Sequence, residues 1–263
     1  MNVDIYQVMA GWATGFVVGL TGVGGGALMT PILLLVFGVA PLTAVGTDLW
    51  FAAVTKLFAV HVHHASKLID WGILKRLWMG SLSASLVAVM VLHVHPPSPA
   101  SAGSLNVGIA AAIMVTALGI LFQPQLHALG RRLRIMDADR FKHWQGPLTV
   151  LAGAVLGTLV TFTSVGAGAL GAVFLTYLYP LRLTPPRLIA TDIAHAIPLA
   201  VVAGTGHLLI GNVNFVMLGT LLLGSIPGVI MGAKLSTRLP HNVLKIGLAT
   251  VLLAVGTKLV ISF

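Results

Sequence analysis

Apolar and polar positions alternate along this chain in long blocks, with extended apolar segments joined by short polar connections. Six apolar segments reach the length of about 20 residues that a helix needs to cross a membrane. They span residues 43–64, 71–93, 103–122, 187–208, 213–235 and 242–262. Four shorter segments form two pairs, 5–21 with 27–39 and 147–163 with 169–181, and a glycine-rich break interrupts each pair. This pattern predicts an all-α polytopic membrane protein in which each short pair is a broken helix or a re-entrant hairpin.

The two breaks belong to an internal duplication. Gly11 and Gly153 lie 142 residues apart, and Asp48 and Asp192 lie 144 residues apart. Further matches keep nearly the same offset, namely Val23-Gly24 with Val165-Gly166, His63 with His207, Asp70 with Asn214, and Gly80 with Gly224. Such an offset, kept over about 70 residues, indicates two structural repeats. Interrupted apolar segments at matching places in two halves point to a transport site.

The distribution of basic residues predicts how the segments cross the membrane. The hydrophilic segment 123–146 contains five Lys or Arg residues, and the connections 93–103 and 208–213 contain none. Basic residues also lie in or beside the connections 64–71, 181–187 and 235–242. Cytoplasmic loops are enriched in Lys and Arg, so the basic connections are expected inside and the uncharged ones outside.

The sides of the membrane assigned to these connections predict the domain organisation. Each half then holds one short pair and three crossings, and because three is odd the second half is inverted relative to the first. We therefore expect a first repeat at 1–122, a cytoplasmic linker loop at 123–146 and a second, inverted repeat at 147–263. Both termini are expected outside.

Composition narrows the class of protein. Hydrophobic residues make up 57% of the chain and charged residues 8%, and the mean hydropathy is +0.99, which excludes a water-exposed globular domain. The net charge of +9 lies mostly in loops and at segment ends, so nucleic acid is not an expected partner, whereas membrane lipid is. No basic residue precedes the first apolar segment, so a cleaved signal peptide is not expected.

The glycine breaks are candidate anion sites. A helix that starts directly after a break points unpaired N–H groups and the positive end of its dipole toward it, so breaks from two inverted halves would face one shared anion. The candidate binding glycines are Gly24, Gly25, Gly26, Gly166 and Gly168. Close helix packing is the alternative role, and small-xxx-small spacing assigns it to other glycines. These are Gly11, Gly15, Gly19, Gly153 and Gly157.

Two carboxylates are candidates for coupling. All six acidic residues are Asp, and only Asp48 and Asp192 lie inside apolar segments. An ionisable residue inside a membrane segment is a functional hypothesis by default. In one interpretation the pair exchanges protons or binds cations. In the other, each Asp caps a half-helix, with Thr47 or Thr191 beside it, and holds the break in shape.

Lys56 and His195 are polar residues without counterparts in the other half. Lys56 is a buried cation that either pairs with Asp48 or balances an anion directly. His195 follows Asp192 by three residues, on the same helix face, and is placed to relay protons near neutral pH.

The chain contains few residues or motifs that are typical of enzymes. The chain has no GxxxxGK[ST], no GxSxG and no Glu, so we predict that it is not an enzyme. A metal is suggested by the cluster His61, His63 and His64, but neither cysteine nor HExxH accompanies it. We therefore expect no metal and no cofactor, and keep a membrane-embedded metal-dependent enzyme as an alternative.

The repeated motifs resemble those of the TauE/SafE sulfite exporter family. The first half has Gly-Leu-Thr-Gly-Val-Gly-Gly-Gly at 19–26, Pro31, and Ala-Val-Gly-Thr-Asp at 44–48. The second half has Thr-Ser-Val-Gly-Ala-Gly-Ala-Leu-Gly at 163–171 and Ala-Thr-Asp-Ile-Ala-His at 190–195. The resemblance implies a bacterial inner-membrane transporter of sulfite, sulfoacetate and related organosulfonates.

The sequence thus predicts a secondary transporter of small sulfur-containing anions that works by alternating access. The break amides, with Thr47, Ser164 and Thr191 as hydroxyl donors, are expected to bind the anion. Lys56 is expected to balance its charge, with proton coupling through the buried Asp residues and His195. An anion channel is a further alternative.

Overall fold

The fold is known from a computed structural model, which describes residues 4–21, 26–63, 68–95, 102–136, 138–236 and 241–261. These residues form eleven α-helices and no strand. In chain order the helices are α1 (Ile5–Thr21), α2 (Gly26–Leu35), α3 (Pro41–His63), α4 (Trp71–Val94), α5 (Ala102–Leu121), α6 (Gln123–Met136), α7 (Ala138–Thr163), α8 (Ala169–Leu178), α9 (Pro185–Leu209), α10 (Phe215–Ser236) and α11 (His241–Ile261).

The predicted fold class is confirmed. Within the described part of the chain, five helical segments are long and apolar enough to cross a membrane. They are Trp71–Val94, Gly103–Leu121, Phe141–Thr163, Pro185–Leu209 and Phe215–Ser236. The chain is therefore an all-α, multi-pass membrane protein. The short helices α2 and α8, with ten residues each, are the second members of the two interrupted pairs.

The prediction that 123–146 is a loop is wrong, because residues 123–136 and 138–146 are helical. Pro124 stands in the first turn of α6, where a missing N–H costs nothing, and good helix formers such as Ala, Leu and Arg follow it. Helix α7 begins at Ala138 instead of residue 147 and passes through Pro147. Polar side chains mark where an apolar segment ends, but the helix itself continues through them.

Glycines allow two helix pairs to pack backbone to backbone. In the contact between α4 and α7, a Cβ added to Gly153 would lie 2.4 Å from the Leu77 carbonyl oxygen, and one on Gly157 would lie 2.2 Å from that of Ser81. In the contact between α1 and α10, the corresponding distance from Gly11 to the Leu221 oxygen is 2.0 Å. Only glycine fits at such distances, so the packing role predicted from small-xxx-small spacing is confirmed.

Helix pairings recur with the two halves exchanged. Helix α1 packs on α10, and the counterpart of α1, α7, packs on the counterpart of α10, α4. Likewise α3 packs on α10, and its counterpart α9 packs on α4. Two further contacts join a helix to its own counterpart, since α3 packs on α9 and α5 packs on α11. Equivalent helices of the two halves therefore have equivalent neighbours. The inverted orientation in the membrane stays a prediction.

The polar connections gather at two ends of the bundle. At one end, which we call the basic end, Arg182 binds Asp70 and a His127 ring nitrogen lies 3.1 Å from the Pro180 carbonyl oxygen. At the other, the neutral end, the Asn214 N–H donates to the Thr47 hydroxyl. Connections that the charge pattern assigns to one side therefore contact one another.

Candidate functional site

The second glycine break is a left-handed turn between two helices. Helix α7 ends at Thr163 and α8 begins at Ala169. Between them Ser164, Gly166 and Gly168 have φ values of 58°, 115° and 126°. Glycine enters this region without steric cost, whereas serine does so rarely. The first N–H groups of α8 lie at this turn, where that of Gly171 donates to the Gly166 carbonyl oxygen at 3.3 Å and those of Ala169 and Leu170 have no partner within the helix.

Lys56 connects the first half of the chain to this break. Its side chain extends from α3, is 2% exposed, and donates a hydrogen bond of 2.8 Å from Nζ to the Ala167 carbonyl oxygen. Asp48 and Asp192 both lie within electrostatic range of the ammonium group. Residues of α3, α9 and the second break therefore meet around one buried cation.

Asp48 is anchored to α2. Its Oδ2 accepts hydrogen bonds from the Thr30 backbone N–H at 3.1 Å and from the Thr30 hydroxyl at 2.5 Å. The Ser164 side chain lies beside this carboxyl group. Asp48 Oδ1 and Ser164 Oγ are both buried without a hydrogen-bond partner. Polar atoms from the two halves therefore lie side by side in this buried place, where the Ser164 side chain acts on the Asp48 carboxyl group.

Asp192 has a different environment from its counterpart. Its Oδ1 is buried without a hydrogen-bond partner, and a Cβ on Gly171 would lie only 2.1 Å from that oxygen. The residue 142 positions after Thr30 is Ala172, which has no hydroxyl group. The second half therefore lacks the hydroxyl that anchors Asp48 in the first.

His195 connects α9 to α4. Its Nε2 lies 2.9 Å from the Ser81 hydroxyl, and its Nδ1 is buried without a partner. The counterpart of Ser81, Ser225, pairs instead with the Thr55 hydroxyl at 2.8 Å. Each serine therefore joins two helices through a different partner.

Thr47 and Thr191 bind the starts of neighbouring helices. The Thr47 hydroxyl accepts from the Asn214 N–H, and the Thr191 hydroxyl accepts from the Asp70 N–H, both at 3.0 Å. The hydroxyl oxygens thus fix α10 and α4 at opposite ends of the bundle.

Several predicted residues lie outside the described part of the chain. Gly24, Gly25 and His64 are among them, and Gly26 is the first residue of α2. His61 and His63 belong to the last turn of α3, but their side chains are not described. Within the described residues, no group of three or more His, Cys, Asp or Glu side chains could hold a metal.

Sequence reasoning missed Thr30, Ser81 and the Ala167 carbonyl. Thr30 and Ser81 are hydroxyl groups inside apolar segments. Ser81 could have been found, because the dipeptide Gly80-Ser81 recurs 144 residues later. Every residue has a backbone carbonyl group, so nothing in the sequence marks that of Ala167 as a hydrogen-bond partner.

A cavity of about 450 Å³ extends from the basic end to the second break and to the last residue of α1. It contacts Thr21, the last residue of α1, and Ala169, the first residue of α8. Its walls are mostly apolar, as at Leu183 and Leu248, with neutral polar groups such as Gln123. The cavity is therefore a route by which a small molecule could reach the second break from that end.

The family model and the curated relative that match this chain both carry the name of a membrane transporter or exporter. The family model described as sulfite exporter TauE/SafE matches residues 8–259. A curated relative, the probable membrane transporter protein YjnA of Bacillus subtilis (strain 168), is 37% identical over 224 residues, which cover 82% of this chain and 83% of the relative. No solved structure matches the chain significantly. The matched region includes both breaks and every candidate residue around them.

Proposed function

The chain is a membrane transporter of the sulfite exporter TauE/SafE family, and on that premise we propose that it is a secondary transporter of small sulfur-containing anions. Sulfite, sulfoacetate and related organosulfonates are the proposed substrates. The contact between Lys56 Nζ and the Ala167 carbonyl oxygen supports this most strongly, because it puts a buried cation at a break toward which helix N–H groups point. Such a site attracts an anion in a low-dielectric environment.

The same cluster supports proton coupling. When Asp48, Asp192 and Lys56 are all ionised, the buried site has one net negative charge, which repels an anion. A proton on either carboxylate removes that repulsion. We propose that Asp48, Asp192 and His195 exchange this proton and that Ser164, whose Oγ has no partner, donates a hydrogen bond to the substrate.

Alternating access would come from the two repeats. The exchange of helix pairings supports a two-fold relation between them, and inversion in the membrane would present the same site to each side in turn. We assign the protein to the bacterial inner membrane with both termini outside. We give Thr47 and Thr191 a supporting role, because their hydroxyl oxygens already accept hydrogen bonds from helix starts.

Flux measurements test the proposal. Purified protein in proteoliposomes should transport sulfite or sulfoacetate, with a rate that depends on an imposed pH gradient. Lys56→Met should abolish the flux, while Lys75→Met, a matched change of an exposed lysine on α4, should leave it intact. Absence of flux for every sulfur anion would contradict the substrate assignment.

Counterflow separates a carrier from an anion channel. Unlabelled substrate on the far side should accelerate entry of labelled substrate, because a carrier returns faster when loaded. Flux that follows the electrochemical gradient alone, without this acceleration, would favour the channel.

A further inference from the structure

A second cavity of about 410 Å³ lies along one face of α6. Its lining residues recur at helical spacing, and they are Pro124, His127, Ala128, Arg131, Arg132 and Ile135. Arg131 and Arg132 are exposed. Neither takes part in an ion pair with any described residue, since those pairs join Arg182 and Arg187 to Asp70. Both guanidinium groups are therefore available to an anion.

The two cavities adjoin. Pro124 and His127 line both of them, so the groove on α6 continues into the cavity that reaches the second break. The helix is held firmly in this place. A Cβ on Gly130 would lie 2.2 Å from the Tyr177 carbonyl oxygen, and Gln123 donates to the Thr176 hydroxyl at 2.9 Å. The orientation of the groove is thus fixed relative to α8.

Charge along this route is uneven. Among the described residues, no Lys, Arg or Asp lines the first cavity. Arg131 and Arg132 lie in the outer groove, and Lys56 lies beyond the inner end of the cavity, at the second break. A neutral, apolar channel that leads from a positive groove to this site suits a small anion, which is concentrated at the groove and accepted at the site once one of its carboxylates is protonated.

We propose that His127, Arg131 and Arg132 form an antechamber that binds the transported anion at the basic end and delivers it to the second break. The inference rests on the proposed function and deepens it by naming a site of first capture. The ligand class is an oxyanion, a sulfite or a sulfonate group, which a guanidinium binds through paired N–H donors. Positive charge in such a mouth raises the local concentration of anions and loses effect at high ionic strength.

The chain has no cysteine, so a single introduced thiol can report on this route. Ala172→Cys places the thiol in the first cavity, beyond the antechamber. Its reaction rates with two methanethiosulfonate reagents would be compared, one with a sulfonate tail and one with a trimethylammonium tail. In the Arg131→Gln/Arg132→Gln background, the ratio of anionic to cationic labelling should fall at least about threefold at low salt and little at 1 M salt.

Matched controls isolate the antechamber. Lys142→Gln removes an exposed cation of the same end that lines neither cavity, and it should leave the ratio unchanged. An equal fall in this control, an unchanged ratio in the double variant, or no reaction of Ala172→Cys with either reagent would overturn the proposal. Ala128→Cys, which lines the groove itself, repeats the comparison should Ala172→Cys fold poorly.

The labelling needs no knowledge of the substrate, so its outcome is separate from that of the flux assay. In proteoliposomes the double variant should raise the half-saturating concentration of anion at the basic end and leave the maximal flux near that of the wild type. Anionic lipid is the competing occupant. If phosphatidylglycerol in the vesicles abolishes the labelling difference between wild type and double variant, lipid head groups fill the groove and the antechamber is excluded.

Discussion

Thr47 on α3 and Thr191 on α9 have the same role at opposite ends of the bundle. Each hydroxyl accepts a hydrogen bond of 3.0 Å from the backbone N–H of the residue that caps a neighbouring long helix. This residue is Asn214, before α10, at the neutral end and Asp70, before α4, at the basic end. Each cap in turn accepts a hydrogen bond from the backbone N–H three residues on. The two ends are therefore built by one repeated arrangement of backbone and cap.

The charge at these caps differs. Asp70 binds the Arg182 guanidinium through two hydrogen bonds of 2.7 and 2.8 Å, and Arg187 lies 3.7 Å away. Asn214 is neutral, and the residue 144 positions before Arg182 is Gly38. The comparison teaches that the contacts made through the backbone are the same at both ends, whereas the ion pairs among the described residues lie at the basic end alone.

The largest expected effect tests the repeated part of this comparison. A Cβ on Gly80 would lie 1.9 Å from the Val150 carbonyl oxygen, and one on Gly224 would lie 1.9 Å from that of Val8. Gly80→Ala and Gly224→Ala should each lower the free energy of unfolding by about 1–3 kcal/mol, because the helices must move apart. Thermal unfolding in detergent, followed by circular dichroism, measures this.

Gly219→Ala is the matched control, because it lies on the same helix as Gly224 and nothing lies within 4 Å of its added Cβ. It should leave the unfolding temperature unchanged or raise it slightly. A loss of stability in only one of the variants Gly80→Ala and Gly224→Ala would show that the two halves do not depend equally on close helix packing.

The sequence predicted the parts of this molecule that follow from hydrophobic pattern and repetition. The helices, the breaks and the packing glycines all have a local pattern. Lys56 and Asp48 could be found because a polar side chain in an apolar segment is costly, and Ser164 because it lies in a glycine break. By contrast, the partners of Thr47 and Thr191 could not be read from the chain, because each hydroxyl binds a backbone N–H more than a hundred residues away. Helix α6 was missed because hydropathy measures membrane burial, not helix formation.

The two buried carboxylates provide a second, smaller contrast. Asp48 Oδ2 accepts two hydrogen bonds from Thr30, whereas Asp192 Oδ1 has no partner. Asp48→Asn should therefore lower the free energy of unfolding by about 1–2 kcal/mol more than Asp192→Asn does. Thermal unfolding of the two proteins measures the difference.

Thr30→Val supplies the control for this contrast, since it removes the hydroxyl donor and keeps the carboxylate. It should reproduce part of the loss in Asp48→Asn. Equal stability of the two Asp variants would mean that the anchoring of Asp48 contributes nothing measurable. Both Asp variants should make flux less dependent on the pH gradient.

The smallest expected effect tests the charge that distinguishes the two ends. Burial acts to raise the pKa of Asp70, but hydrogen bonds from Arg182 and Ile73 and the nearby guanidinium charges outweigh it and hold the pKa below the ordinary value of 3.8. The stabilisation from ionised Asp70 is therefore present above pH 3.8 and lost as the pH falls through the lower folded pKa.

Asp70→Asn turns the basic-end cap into a copy of the neutral-end cap. It keeps an acceptor for the Ile73 N–H but loses the ion pair with Arg182. Because the Arg182 side chain is 54% exposed, the free energy of unfolding at pH 7 should fall by only about 1 kcal/mol. The difference between the unfolding temperatures of the two proteins should be constant from pH 7 to about pH 5 and should shrink as the pH falls below 3.8. Asn214→Asp should gain nothing at neutral pH, since Gly38 offers no cation. A difference between wild type and Asp70→Asn that stays constant down to pH 3 would show that the cap, not its charge, sets the stability of the basic end.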